Sequence, residues 1–345
     1  MIGKPRVWVS RPTFPEIIAR LDEHFVVTSE PQEVHFSPAE LAARLADQDA
    51  AIVGLKEHVG AAEIAGAPRL RIVANLAVGY DNLDVAALTA AGIAVSNTAD
   101  VLNEGVADYA WAMLLGAARH IGAAERWLRA GHWHATEFTG WLGMDVRGRT
   151  LGILGMGRIG QAIARRAVGF GMDVIYHNRS PLPASLEHAC HARYVDKPQL
   201  LAASDFLVLV LPLTAQSRHA IGAPELAQMK PTAVLVNVAR GGIVDDAALA
   251  AALASGGLAA AALDVFEGEP QVHPALLALD NVLLSPHIAS ASHATRRAMT
   301  ALAVDNVLAL FGHGPHAGRP PTILNPVVLA AAGTIPSPLN PEQPA

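Results

Sequence analysis

Residues 151–166 read LGILGMGRIGQAIARR. A short run of branched apolar residues leads into Gly155-Met156-Gly157-Arg158-Ile159-Gly160, and an amphipathic stretch follows. The G-x-G-x-x-G spacing alone is common in loops. Set between a strand and a helix, it is the phosphate-binding turn of a doubly wound α/β fold. Gly155 permits the tight turn, Gly157 lets backbone approach a pyrophosphate, and Gly160 allows close helix–strand packing. The amides of Arg158 and Ile159, at the helix N-terminus, suit an anion.

Such a fold usually carries an acid about 20 residues further on, which binds the ribose hydroxyls of NAD. Here the next strand, MDVIYH, ends instead in Asn178, Arg179 and Ser180. A carboxylate would repel a 2′-phosphate, whereas a guanidinium attracts one and matches its geometry. Asn178 and Ser180 add hydrogen-bonding groups toward phosphate or ribose oxygens. The expectation is NADP(H) in preference to NAD(H).

Outward from this turn, strands and helices alternate along the chain. Before it, PRVWVS, HFVVTS, AAIVGL, LRIVANL and GIAVSN read as strands with helices between them. After it come ARYVD, FLVLVLP, AVLVNVA, AALDVF and NVLLSP. Alternation of this kind implies parallel sheets. Two long helical stretches, 100–129 and the one beginning SHATRRAM, flank the second series. The resulting expectation is an α/β protein of two Rossmann-like or flavodoxin-like parallel-sheet domains with a cleft between them. Residues 1–99 and 291–345 would form a substrate-binding domain, and 100–290 an NAD(P)-binding domain. The proline-rich end, IPSPLNPEQPA, reads as a poorly ordered tail.

Composition narrows the class. The 345 residues are 52% hydrophobic and 16% charged, with a net charge of −6. Lys and Arg are scattered, which excludes a basic nucleic-acid face. Cys190 is the single cysteine, so no intrachain disulfide forms. No apolar run reaches the length of a membrane span, and the N-terminus lacks a signal-peptide core. A cytoplasmic protein is expected, with neither membrane nor nucleic acid among its partners, and no motif calls for a metal.

Three further segments fall at strand ends, where this fold places chemistry. They are NVARGG with Arg240, DVFEGEP with Asp264 and Glu269, and SPHIAS with His287. Reduction of a keto acid needs a cation for the carboxylate and a proton donor for the carbonyl oxygen. Arginine suits the first task and histidine the second. Glu269 would orient the imidazole and favour its charged form. Asp264 could reach the cofactor amide.

These segments carry a resemblance. VGYDNLD at 78–84, LGILGMGRIGQAIARR at 151–166, LPLT at 211–214, NVARGGIVDDAAL at 237–249, AALDVFEGEP at 261–270 and SPHIASAS at 285–292 resemble the D-isomer-specific 2-hydroxyacid dehydrogenase family over nearly the whole chain. The chain is most similar to its glyoxylate/hydroxypyruvate reductase branch, some members of which also reduce 2-ketogluconate. The resemblance implies that Arg240, Glu269 and His287 form the catalytic set, and that Asp264 contacts the nicotinamide side. It implies that backbone amides at Ala77, Val78 and Gly79 hold the substrate carboxylate and that Leu55 borders the substrate. Leu211 and Pro212 would flank the adenine, Val238 and Ala239 would lie along the nicotinamide ribose, and Val106 and His287 would face the nicotinamide. Asn103 stands where many members have threonine.

Trp141, in FTGWLGMD, matches a tryptophan of the reductase branch on an arm that reaches the neighbouring subunit in homodimers. It would shape substrate choice across that interface or simply pack there. Two other readings stay open. One is an NAD-dependent D-2-hydroxyacid dehydrogenase with another substrate. The other is a nucleotide-sensing binding protein of the same fold.

Overall fold

A computed structural model describes residues 3–331, so the proline-rich tail lies outside the described residues. The chain divides into two compact units, Met1–Leu102 with Ser292–Ala345, and Asn103–Ala291.

The first unit is built on five parallel strands: β1 (Arg6–Val9), β2 (Val26–Ser29), β3 (Ala50–Val53), β4 (Ile72–Asn75) and β5 (Ala94–Ser96). Their spatial order is β2-β1-β3-β4-β5, the flavodoxin-like arrangement that reverses direction between β1 and β3. Every residue of β3 and β4 is buried, as expected for strands covered on both faces. One face packs against Ile17, Ile18 and Leu21 and against Val304, Val307 and Leu308 of the helix His293–Leu310. The other packs against Leu41, Leu45 and Leu88 from the helices Pro38–Leu45 and Val85–Ala90. Ser37 starts the former helix with a capping box, its hydroxyl accepting from Glu40 N–H while Glu40 accepts from Ser37 N–H.

The second unit holds seven parallel strands: β6 (Thr150–Leu154), β7 (Asp173–His177), β8 (Ala192–Tyr194), β9 (Phe206–Leu209), β10 (Val234–Asn237), β11 (Ala260–Leu263) and β12 (Val282–Leu284). Their order, β12-β11-β10-β9-β6-β7-β8, is that of a dinucleotide fold with one added strand. The direction reverses between β6 and β9, and the glycine turn sits at that point. The helix Asn103–Ala118 covers one face. Its Trp111 stacks on Phe170 at 4.5 Å and donates an indole hydrogen bond to Ile163 O at 3.1 Å.

The long helix expected over 100–129 is two helices, Asn103–Ala118 and Ile121–Arg129. Asp100 (φ 73°) turns the chain before the first, and His120 (φ 55°) adopts a left-handed conformation between them. One left-handed residue re-aims the axis while leaving the apolar repeat nearly in phase, so hydrophobic periodicity carries across the break.

Residues after the second unit complete the first. Buried Asn325 accepts from Val95 N–H at 2.8 Å and donates to Ile93 O at 2.9 Å and Thr89 Oγ1 at 2.8 Å. Asn325→Ala leaves a buried donor and acceptor without partners and is expected to cost about 3 kcal/mol. Urea unfolding followed by circular dichroism measures it.

Candidate active site

The glycine turn departs from β6 under tight steric control. Gly155 has φ +102°, and a Cβ there would fall 2.5 Å from Val210 O. A Cβ on Gly160 would fall 2.4 Å from Gly155 O, so the helix Arg158–Ala167 closes directly onto the turn. Gly157 is the opposite case. It is exposed, and nothing lies within 4 Å of a Cβ placed on it. The open side of the turn therefore presents bare backbone at a helix N-terminus, which fits a dinucleotide pyrophosphate.

The loop after β7 gives Asn178 a bond within the protein. The side chain of Asn178 is not simply free for phosphate or ribose, because its Oδ1 accepts from Met156 N–H at 2.6 Å. Its carbonyl accepts from Tyr194 Oη at 3.2 Å. With the oxygen so held, the amide leaves Nδ2, a pure donor, for a ligand. Tyr176 anchors the same loop. Its hydroxyl donates to Glu187 at 2.7 Å and accepts from Leu182 N–H at 2.7 Å, and burial beside Glu187 pushes its pKa up to about 12. Arg179 and Ser180 are exposed next to this braced Asn178. Leu211 packs partly into the core and Pro212 is exposed, while Val106, Val238 and Ala239 are buried.

The loops after β10, β11 and β12 meet. His287 Nδ1 lies 2.7 Å from Glu269 Oε2, and Glu269 Oε1 accepts from Phe266 N–H at 2.9 Å. A nitrogen facing a carboxylate must carry the proton, so Nε2 is the ring position left to gain or lose one. Burial alone would push the Glu269 carboxyl up. The hydrogen bond and charge of His287, the Phe266 amide and the Arg240 guanidinium outweigh it and hold the group below the ordinary carboxylate value. Gly241 makes this assembly possible, since any Cβ there would fall 1.7 Å from Phe266 O. Arg240 is held by Asn237, whose Nδ2 donates to Arg240 O at 3.1 Å.

Asp264 also carries bonds that the sequence did not foretell. It is wholly buried, and both oxygens serve its own unit. Oδ1 accepts from Ser285 Oγ at 2.7 Å and Ile288 N–H at 2.8 Å, and Oδ2 accepts from Ala289 N–H at 2.8 Å. These bonds bracket His287, whose backbone is left-handed (φ 54°) and whose N–H donates to Asp264 O at 2.8 Å. Burial raises the Asp264 carboxyl above its ordinary value, against the pull of those donors. Its first task is to hold the histidine loop.

In the first unit, Leu55, Val78 and Gly79 are half-buried on the loops after β3 and β4, beside buried Ala77. Trp141 lies on the irregular arm of the second unit, with φ 58°, its ring edge-to-face with Trp127 at 5.6 Å. Trp133, Phe138 and Leu142 of that arm are exposed, Phe138 at 97%. Asn103 opens the first helix of the second unit. Among the described residues no group of His, Cys, Asp and Glu side chains is arranged to hold a metal ion, and no helix is long and apolar enough to cross a membrane.

A depressed Glu269 contributes stability that is complete above the ordinary carboxylate value and is lost as pH falls through its folded-state pKa. Glu269→Gln is therefore expected to lower the urea midpoint at pH 7, and the gap from wild type should close at acid pH, as the carboxyl takes up its proton below the ordinary carboxylate range. A gap of equal size at both pH values would contradict the pairing.

The arrangement has close counterparts among known proteins. Residues 111–289 match the family described as D-isomer specific 2-hydroxyacid dehydrogenase, NAD binding domain. A glyoxylate reductase of Thermococcus onnurineus is 46% identical over 333 residues, covering 94% of this chain and 97% of that one. One of Aeropyrum pernix is 44% identical, covering 93% and 96%. The crystal structure of an NADPH-dependent glyoxylate/hydroxypyruvate reductase from Sinorhizobium meliloti, in complex with NADP and malonate, superposes with a TM-score of 0.81 at 40% identity, covering 93% and 97%. With the glycine turn, the arginine and the glutamate–histidine pair in one unit, the chain belongs to the D-isomer specific 2-hydroxyacid dehydrogenase family, in its glyoxylate reductase branch, and is an NAD(P)-dependent oxidoreductase.

Proposed function

We propose that the chain reduces a small 2-keto acid, glyoxylate or hydroxypyruvate with 2-ketogluconate as a larger alternative, to the D-2-hydroxy acid, using NADP(H) in preference to NAD(H). The observation that carries the reading is the His287–Glu269 pair at 2.7 Å, with the far oxygen of the glutamate tied to Phe266 N–H. It supports a ring with Nδ1 protonated and Nε2 as the acid.

The nicotinamide, when bound, supplies the hydride for the carbonyl carbon. In the second unit, His287 Nε2 gives its proton to the carbonyl oxygen, and Glu269 stabilises the imidazolium before transfer. Arg240 offers its planar fork to the carboxylate and stabilises charge that develops on the oxygen. Asp264 keeps the histidine loop in place, and Oδ2, which accepts from Ala289 N–H, retains acceptor capacity toward the carboxamide. Gly155, Gly157, Arg158, Ile159 and Gly160 receive the pyrophosphate, with Leu211 and Pro212 along the adenine. Val106, Val238 and Ala239 border the nicotinamide riboside. In the first unit, amides at Val78 and Gly79 receive the carboxylate of the acid, and Leu55 borders it.

NADP(H) preference rests on Arg179. It is exposed beside Ser180 and beside an Asn178 whose free amide nitrogen donates, with no acid at this strand end. The relative from Sinorhizobium meliloti was crystallised with NADP, which favours the same choice. The exposed aromatic arm around Trp141 supports a homodimer, with Trp141 contributing to substrate choice across the interface, and the cytoplasm is its proposed location.

Initial rates with NADPH and NADH against glyoxylate, hydroxypyruvate and 2-ketogluconate test the whole reading. Turnover with preference for NADPH is expected, and equal use of NADH would remove Arg179 from phosphate recognition. Arg179→Ala should raise the KM for NADPH by about tenfold while hardly changing that for NADH. His287→Gln should lower kcat by about 10²–10⁴. A smaller loss would place the proton donor elsewhere.

A further inference from the structure

The first sheet has its own topological switch point, between β1 and β3, the place where an open α/β sheet ordinarily receives a ligand. Here it is filled by protein. Glu57 is 2% exposed and accepts from Ser10 Oγ at 2.7 Å, Gly54 N–H at 2.6 Å and Arg11 Nη2 at 2.9 Å. Arg11 lies so close over Gly54 that a Cβ there would fall 2.1 Å from the guanidinium carbon. A buried charge pair at this position is costly unless each partner is further hydrogen-bonded, and Glu57 is.

Three buried asparagines extend the set. Asn82 Nδ2 donates to Gly54 O and Glu57 O, both at 3.0 Å, and its Oδ1 accepts from Asn75 Nδ2 at 3.2 Å. Asn75 Nδ2 also donates to Gly79 O at 2.9 Å, and Asn97 Nδ2 donates to Val78 O at 2.9 Å. Ser10, Gly54, Asn75 and Asn97 all stand at carboxyl ends of strands. In a trans peptide the C=O and N–H point in opposite directions. Drawing the carbonyls of Val78 and Gly79 onto side-chain amides therefore turns the N–H groups of Gly79 and Tyr80 the other way, as a pair of adjacent donors.

We propose that Glu57, Asn75, Asn82 and Asn97 are positioning residues for substrate affinity. They lock the loops after β3 and β4 together so that the Gly79 amide, one of the two donors proposed for the carboxylate, stands ready for it with the Tyr80 amide beside it. This rests on the proposed reading that these loops receive the keto acid. Glu57 sets the register of the first loop through Gly54 N–H, and Asn82 transmits it to the second. In Glu57→Gln the side-chain amide nitrogen must face the Arg11 guanidinium or displace one of the other donors, so the loop loses its anchor with almost no change in volume.

The test compares wild type, Glu57→Gln and Asn325→Ala, the last a buried polar change in the same unit that does not touch these loops. Glu57→Gln is expected to raise the KM for glyoxylate about tenfold, with the KM for NADPH and kcat changed less than about twofold. Asn325→Ala should lower the unfolding midpoint without moving the KM for glyoxylate. Asn75→Ala, which releases Gly79 O directly, should repeat the Glu57→Gln pattern. Equal KM values for glyoxylate in Glu57→Gln and Asn325→Ala would overturn the proposal, as would a parallel rise in both KM values. Hydrogen–deuterium exchange gives a readout that needs no turnover. Faster exchange confined to residues 54–57 and 78–82 in Glu57→Gln supports the positioning role, and unchanged exchange overturns it. Loss of turnover in wild type would instead sink the proposed reaction while leaving this exchange result to stand or fall by itself.

Discussion

The buried carboxylate of Asp264 is the interaction on which the candidate active site depends. It sits at the end of β11, and its two oxygens gather Ser285 Oγ and the amides of Ile288 and Ala289. That is a costly place for a charge, and burial accordingly raises its pKa. The three donors offset the cost and close the β12 loop around His287. Held in a left-handed backbone conformation, the histidine meets Glu269, which a second backbone amide has already oriented. The proposed proton donor, His287, is thus positioned by a hierarchy in which a fully buried acid fixes the loop and a half-open one fixes the ring.

The two sheets share one construction and use it differently. Both are parallel, and their central strands are buried on both faces, so Asn75 and Asn237 appear only at the carboxyl ends of theirs. In the second sheet the switch point carries glycines, and Gly157 leaves backbone open toward solvent. In the first, the equivalent position is occupied by the Arg11–Glu57 pair and its asparagines. An open turn receives a phosphate, whereas a filled one holds neighbouring loops in register. The same fold class thereby yields a unit suited to a dinucleotide and a unit that, among the described residues, has no phosphate loop.

Much of this was legible along the chain. Alternating strands and helices, the glycine turn between a strand and a helix, and chemistry-bearing residues at strand ends are local patterns. The break at His120 was not, because one residue of positive φ barely shifts a helical repeat. Asn178 read as a ligand-facing group because it stands where an acid would. Its oxygen is instead bonded to Met156, 22 positions away in the chain. Asp264 stood out for its place at a strand end and for the resemblance, but its burial is invisible in DVFEGEP.

By itself, the sequence determined which residues were available at each strand end, since strand periodicity and turn glycines are short-range properties of the backbone. That is why Arg240, Glu269, His287 and Arg179 stand out in the sequence itself. The tertiary structure decided which polar atoms remain free to act. The Glu57 set joins Ser10, Gly54, Asn75, Asn82 and Asn97 from four strand ends, and no spacing rule links them. Hydrogen-bond partners separated by tens of residues are chosen by sheet order and register, which arise only when the whole unit packs.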